Sequence, residues 1–248
     1  MAPGRTRPRS AIAASREDFA METRTRPLIG VTGEGPGIVM RGVSWADYEA
    51  QLRIIGERRI FVNYDRGVME VLVPSHPHEV VADFLGLMVD ILTEELEIPC
   101  EAGGSTTQRR MDLEKGVEPD RCFWLGDRAA SMTGRRDLDL SVDPAPSLAI
   151  EVNHTSSSVD RMGIYAALGV DEVWRHDAGL EFHKLQDGAY RHTEISANFP
   201  MLTLTDAARF LEDSRTMGRV PWMKAFRRYV RDELAAPPPG PRNGAGQP

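Results

Sequence analysis

The longest regular pattern in the chain lies over residues 78–96. Val80, Val81, Phe84, Leu85, Leu87, Met88, Ile91 and Leu92 recur there on one helical stripe, while Glu79, Asp83, Asp90 and Glu94 fall elsewhere. A stripe of that length must be covered, so the chain has to supply an extensive apolar partner. It does so in short β-type runs. Segments 60–64 and 68–73 read as strands joined by Asp65-Arg66-Gly67, a hairpin turn. Further strands are expected at 99–103, 105–111, 121–125, 147–153, 172–176, 180–185 and 189–194. Ser44 is placed to cap a helix through Ile55, with Asp47 in its first turn. A helix near 159–168 stops at Gly169, and two more lie near 205–213 and 221–234. This order predicts an α/β fold: a mixed sheet flanked by helices, with an N-terminal helix and β-hairpin, and not a βαβ repeat.

At 248 residues the chain suits one large domain with loose ends. Residues 1–39 mix Arg, Pro, Gly and Thr without periodicity and read as a disordered tail. Residues 233–248, which include Pro237-Pro238-Pro239-Gly240-Pro241, read as a second one, leaving 40–232 as the domain. Gly33-Glu34-Gly35 is no nucleotide fingerprint, because no strand precedes it and Pro36 has no N–H for a phosphate. No apolar run approaches the ~20 residues of a membrane-spanning helix, and the stretch after Arg5, Arg7 and Arg9 is too short for a signal peptide. Cys100 and Cys122 make neither a disulfide framework nor a four-thiolate zinc site, so a reducing, cytoplasmic setting is expected. The net charge is −7, and segment 40–232 holds 23 basic against 32 acidic residues. Chains that hold nucleic acid by unspecific phosphate attraction are usually basic. Any such contact here must come from local patches or a bound cation.

Three acids stand out by context. Asp120 follows Pro119 at the start of the apolar run 122–125. Glu151 interrupts Leu148-Ala149-Ile150-Glu151-Val152, where a carboxylate is costly unless a partner or cation neutralises it. Glu79 opens the long helix, where an acid also suits the helix dipole without any further role. Asp120 on its own is equally a turn cap. Two acids from neighbouring strands plus one from a flanking helix are what a hard divalent cation takes, with bound water left as a nucleophile.

Gly116-Val117-Glu118-Pro119-Asp120-Arg121-Cys122-Phe123, followed by Ala149-Ile150-Glu151-Val152, resembles the PD-(D/E)xK motif of restriction-endonuclease-like proteins. The segment from Thr155 through Tyr165-Ala166-Ala167-Leu168-Gly169-Val170 to Arg175 is similar to the bacterial Uma-two family of that class. So are Tyr64-Asp65-Arg66-Gly67-Val68-Met69-Glu70, Pro74-Ser75-His76-Pro77-His78-Glu79, Gly104-Ser105-Thr106-Thr107 and Phe199-Pro200, and the likeness covers about residues 40–230. The resemblance implies a sandwiched mixed sheet with Mg²⁺ (or Mn²⁺) at one sheet edge. Asp120 and Glu151 would be its ligands, the Val152 carbonyl a further one, and Glu79 the assisting acid from the preceding helix. The chain departs from the motif at the lysine, where Asn153 stands. The chain has three lysines, Lys115, Lys184 and Lys224, and Arg161 on the following helix is the candidate for the missing cation. An arginine cannot act as base, but it can hold a phosphate oxygen and offset charge in the transition state.

The expected function is therefore a metal-dependent endonuclease-like hydrolase of phosphodiester bonds, with DNA the expected substrate and a homodimer compatible with such a fold. Its rival is a nuclease-fold module that binds nucleic acid or protein without turnover. A third reading, a zinc hydrolase on His76 and His78, competes with a plain turn histidine. His154 could support Glu151, although strand alternation sends it to the other face. Asn153-His154-Thr155 also matches a glycosylation sequon. Gly103-Gly104-Ser105-Thr106-Thr107 could approach phosphate or simply turn the chain. Lys224, Arg227, Arg228 and Arg231 form a basic stripe, a solvated face or a phosphate contact, with Arg109-Arg110 and Arg135-Arg136 as lesser candidates.

Overall fold

The computed structural model describes residues 30–32, 37–56, 58–135, 137–152, 157 and 159–235. Asn153, His154, the sequon, Arg136 and most of both expected tails lie outside the described residues. Two six-stranded sheets carry the fold, where the sequence suggested a single mixed one. The first is antiparallel throughout. Its strands are β1 (Gly30–Thr32), β2 (Gly37–Arg41), β3 (Phe61–Asp65), β4 (Val68–Leu72), β6 (Gln108–Arg110) and β7 (Lys115–Val117), in the order β1-β2-β4-β3-β7-β6. β1 and the first three residues of β2 fall within the stretch 1–39 read from sequence as tail. They are recruited because the β3–β4 hairpin has an open edge, on which Ile38, Val39 and Met40 pair with Val71, Glu70 and Met69. The expected strand over 105–111 is shorter than its pattern, since a 3₁₀ turn at Met111–Leu113 folds β7 back on β6. The β3–β4 turn needs left-handed backbone at both Arg66 (φ 42°) and Gly67 (φ 89°), as a tight hairpin does. Helix α1 (Trp45–Ile55) packs on this sheet through Tyr48, which stacks on Tyr64 with ring centroids 4.9 Å apart. Ser44 and Asp47 close a capping box at its start.

The second sheet is mixed. It contains β5 (Cys100–Gly104), β8 (Arg121–Leu125), β9 (Leu148–Val152), β10 (Glu172–His176), β11 (Leu180–Gln186) and β12 (Ala189–Thr193), in the order β12-β11-β10-β9-β8-β5. Its parallel pair is β9–β10. A parallel pair requires a crossover, and α4 (Arg161–Leu168) lies in that connection. The long stripe read from sequence is α2 (His76–Glu95), which covers one face of the sheet together with α5 (Leu204–Asp213) and α6 (Arg219–Tyr229). Phe123, Leu148, Ile150, Val152, Trp174 and Phe182 pack against them. On the other face, Ala149 and Val173 lie beneath Ile164, Tyr165 and Leu168 of α4, and Val117 brings in the first sheet. A short helix, α3 (Asp127–Met132), closes over Cys122 and Trp124. No helix among the described residues is long and apolar enough to cross a membrane.

The basic stripe on α6 has a structural task. Arg227 reaches Glu94 at 2.6 Å and Glu95 at 2.9 Å, and Arg231 reaches Glu95 at 2.9 Å, fastening α6 to the end of α2. Glu172, at the start of β10, is fully buried. It accepts from Trp174 Nε1 (3.0 Å), Ser196 Oγ (3.1 Å), Ala197 N (3.0 Å), Asn198 N (2.9 Å) and Asn198 Nδ2 (2.8 Å), so one carboxylate pins the loop that seats Phe199 in the core. Hydrogen bonds to a buried charge are worth more than neutral ones, and their donors have no alternative partner once it is gone. Glu172→Ala is expected to cost about 3 kcal/mol or more of stability, read as a lower urea midpoint; an unchanged midpoint would show that the loop is held otherwise.

Candidate active site

The polypeptide after β7 crosses from the first sheet to the second through Glu118, Pro119 and Asp120. Glu118 stays with the first sheet. Its carboxylate accepts from Val62 N (2.8 Å) and Thr107 Oγ1 (2.6 Å), and its own N–H donates to Asn63 Oδ1 (3.1 Å). Burial raises the Glu118 pKa, although the bonds from Thr107 and Val62 work the other way. Asp120 belongs to the second sheet. Its N–H donates to Ile150 O (3.1 Å), and its Oδ2 accepts from Val152 N (2.6 Å), so the side chain continues the β8–β9 ladder beyond the last backbone pair. Val152 thus holds Asp120 through its N–H.

The β8–β9 pairing ends at Arg121 and Ile150, so Asp120 and Glu151 are the next residues along the two strands. Alternation puts the Glu151 side chain on the face that α4 covers. Glu151 is 1% exposed. Its Oε2 accepts from the Tyr165 hydroxyl at 2.8 Å, and its Oε1 is held by Arg161 Nη1. Arg161 and Tyr165 stand one helical turn apart on α4, on the same side of the helix. Asp160 sets that helix start by capping Gly163 N at 2.9 Å. Burial pushes the Tyr165 hydroxyl well above its ordinary pKa; Arg161 opposes the shift and Asp120 adds to it, so the group stays a donor. The second guanidinium nitrogen of Arg161 faces Glu70 Oε2 of β4, 3.6 Å away. Glu70 is 2% exposed, with the Ser157 hydroxyl at 2.9 Å and Asn63 Nδ2 at 3.3 Å.

The residue that α2 directs at Asp120 is His78, next to the expected Glu79. His78 is buried and its Nε2 lies 3.0 Å from Asp120 Oδ1. Burial by itself lowers the imidazole pKa, but the hydrogen bond and charge of Asp120, the Val152 backbone and Glu79 raise it above the usual histidine value. Glu79 points outward and pairs with Arg59 at 3.0 Å. It still borders the same cleft as Asp120, a space of about 520 Å³ lined also by Arg59, Phe61, His76, Asp83 and Arg121. The signal for His78 lies in the helical period. Ala82, Leu85, Val89 and Leu92 form the buried stripe, and one turn back from Ala82 is His78. Tyr165 and Glu70 carried no such signal, because what they touch comes from distant strands.

The pair His76 and His78 diverges, one lining the cleft and the other turned to Asp120. Gly103 answers to packing: an added Cβ would lie 2.4 Å from the Trp124 ring. Arg110 is engaged by Asp112, and Arg135 by Asp143 at 3.2 Å.

The donor set suits a hard divalent cation. Asp120 and Glu151 offer oxygen ligands across two adjacent strands, and magnesium takes one or two carboxylates with water in its remaining positions. Among the described residues no three His, Cys, Asp or Glu side chains converge into a fuller coordination sphere. Charge points the same way. Asp120, Glu151 and Glu70 are buried against one guanidinium and one imidazole, which leaves negative charge to be offset.

A family model described as "Putative restriction endonuclease" (Uma2) matches residues 45–215, a span that contains every residue of this cluster. A crystal structure of "a putative nuclease belonging to DUF820" from Anabaena variabilis ATCC 29413 is similar at 12% identity and a TM-score of 0.41, covering 67% of this chain and 90% of that one. No curated protein matches the sequence. With two thirds of its length inside the family model, and the buried acids of β8 and β9 within that span, the chain belongs to the Uma2 family of nuclease-like proteins.

Proposed function

We propose that this protein is a divalent-metal-dependent hydrolase of phosphodiester bonds, with DNA as its substrate and Mg²⁺ or Mn²⁺ as its ion. The observation that carries the reading is a pair of buried acids at the end of the β8–β9 pairing, Asp120 bonded to Val152 N and Glu151 bonded to Arg161. Asp120 and Glu151 are the ligands in this reading, and the bound ion supplies an activated water and offsets charge on the phosphate. His78 and the Val152 N–H hold Asp120 from two sides, so its carboxylate keeps one orientation. Tyr165 does the same for Glu151. Arg161 is 10% exposed and its Nε–H has no acceptor among the described residues, which leaves a donor for a phosphate oxygen. Glu79 acts from the cleft wall through solvent. Arg59 and Arg121, paired there with Glu79 and Asp83, exchange those partners for flanking phosphates. A homodimer would bring two such sites to two strands, and a cytoplasmic setting supplies both ion and substrate.

Arginine in the place of the motif lysine favours one rival, a module that binds nucleic acid without turnover, since a guanidinium cannot take the proton of the attacking water. Three variants separate the readings. Asp120→Asn and Glu151→Gln should lose both calorimetric Mg²⁺ binding and cleavage of a DNA substrate panel. Arg161→Ala should keep metal binding and lose roughly 100-fold or more in kcat. Wild-type protein that binds metal and DNA but yields product only at the level of the Asp120→Asn preparation would decide for the rival. Tyr165→Phe removes a single hydrogen bond to a ligand and is expected to cost ~10-fold in metal affinity and about 1 kcal/mol of stability. Unchanged metal affinity would show that Tyr165 only packs.

A further inference from the structure

Glu70 is a buried carboxylate to which the reaction described above assigns no task. It sits on β4 of the first sheet, while Glu151 sits on β9 of the second. Arg161 spans the gap: Nη1 is bonded to Glu151, and Nη2 stands 3.6 Å from Glu70. The guanidinium is therefore held tightly by one carboxylate and loosely by another. The neutral donors Ser157 and Asn63 bond to Glu70, and Arg161 adds opposite charge beside it.

This double attachment matters for Glu151. As long as Arg161 occupies its Oε1, a divalent cation and the guanidinium compete for the same carboxylate, and like charges at such range repel. A second carboxylate on the far side lets Arg161 yield Glu151 and still stay beside it. We infer that Glu70 is the positioning residue of Arg161, retaining the guanidinium at the reaction centre while Glu151 is released to a divalent ion. This rests on the metal-dependent reading of the site.

The test is Mg²⁺ and Mn²⁺ titration calorimetry on the full chain, comparing wild type, Glu70→Gln, Arg161→Ala and the double variant. With the seat removed, Arg161 holds Glu151 more firmly, so Glu70→Gln should weaken metal binding by ~10–100-fold. Arg161→Ala should bind at least as tightly as wild type. In that background, adding Glu70→Gln should change nothing. If Glu70→Gln weakens binding equally with and without Arg161, Glu70 acts merely as a nearby charge and the inference is overturned. It is overturned as well if Glu70→Gln binds like wild type. A Glu70→Gln protein that fails to fold leaves Glu70→Asp as the arbiter: the shorter acid should restore most of the affinity, and a folded Glu70→Asp that binds no better than the Glu151→Gln protein counts against the inference. Wild type that binds no divalent ion would instead remove the metal-dependent reading itself, so the two failures are told apart in the first trace.

Discussion

A carboxylate is buried in the middle of a strand covered on both faces, and much of the architecture follows from that. All five residues of β9 are buried, with Leu148, Ile150 and Val152 under α2 and its neighbours and Ala149 under α4. Glu151 shares the α4 face, where water does not compensate it. Leaving it without a partner would cost several kcal/mol, on the order of 3–5 for a broken buried pair. The compensation comes from topology. Since β9 and β10 run parallel, the chain must cross over a face of the sheet to join them, and the crossover helix is α4. Its first turn brings Arg161 and its second Tyr165, both onto Glu151. The local geometry of the site is thus a consequence of how two strands are connected.

The charge cluster also joins the two sheets, beside the apolar contact of Val117 with Ala149 and α4. Glu70 of β4, braced by Asn63 of β3, meets Ser157 and Arg161 from the other half of the molecule, in contacts that span 87 residues of sequence between Glu70 and Ser157. Pro119 sits at the crossing, between a glutamate bonded to the first sheet and an aspartate bonded to the second. Such contacts are costly to bring together, since loop closure precedes their reward, and they hold only in the assembled fold. A site built this way has little freedom to drift, which suits chemistry that depends on the placement of a few oxygens and one guanidinium.

The sequence displays some of this and hides the rest for physical reasons. The α2 stripe is visible because its period is local, and extended one turn it reaches His78, next to Glu79. Helical period says which residues face inward; a first-turn acid says only that the helix has a dipole. The basic stripe on α6 was equally visible, but its partners Glu94 and Glu95 lie more than 130 residues away in sequence, so nothing local showed that it fastens helix to helix. β1, β2 and β7 are short and gain their pairing from strands elsewhere, which is why a stretch with no periodicity became part of a sheet. Glu151 was legible as an anomaly in an apolar run. Glu172, next to Asp171 at a strand start, interrupts no apolar run and is just as deeply buried.

The contrast between those two glutamates separates structure from candidate chemistry. Glu172 is surrounded by neutral donors, the backbone and side chains of a single loop together with the Trp174 indole, and the arrangement is complete as it stands. Glu151 faces a charged guanidinium that is itself shared with a second acid, and a third carboxylate, Asp120, is bonded to the next residue of its strand, Val152. Neutral saturation makes a rigid anchor, whereas surplus charge makes a place for another ion. The identity of the cation follows from this geometry. A lysine ammonium is a compact point charge, while the planar fork of arginine offers separate nitrogens to two carboxylates on two sheets. Arg161 uses both at once, and in doing so it gives up the ability to accept a proton. Activation of the water in the proposed reaction then falls to the carboxylates and the ion they hold, while the guanidinium binds and neutralises.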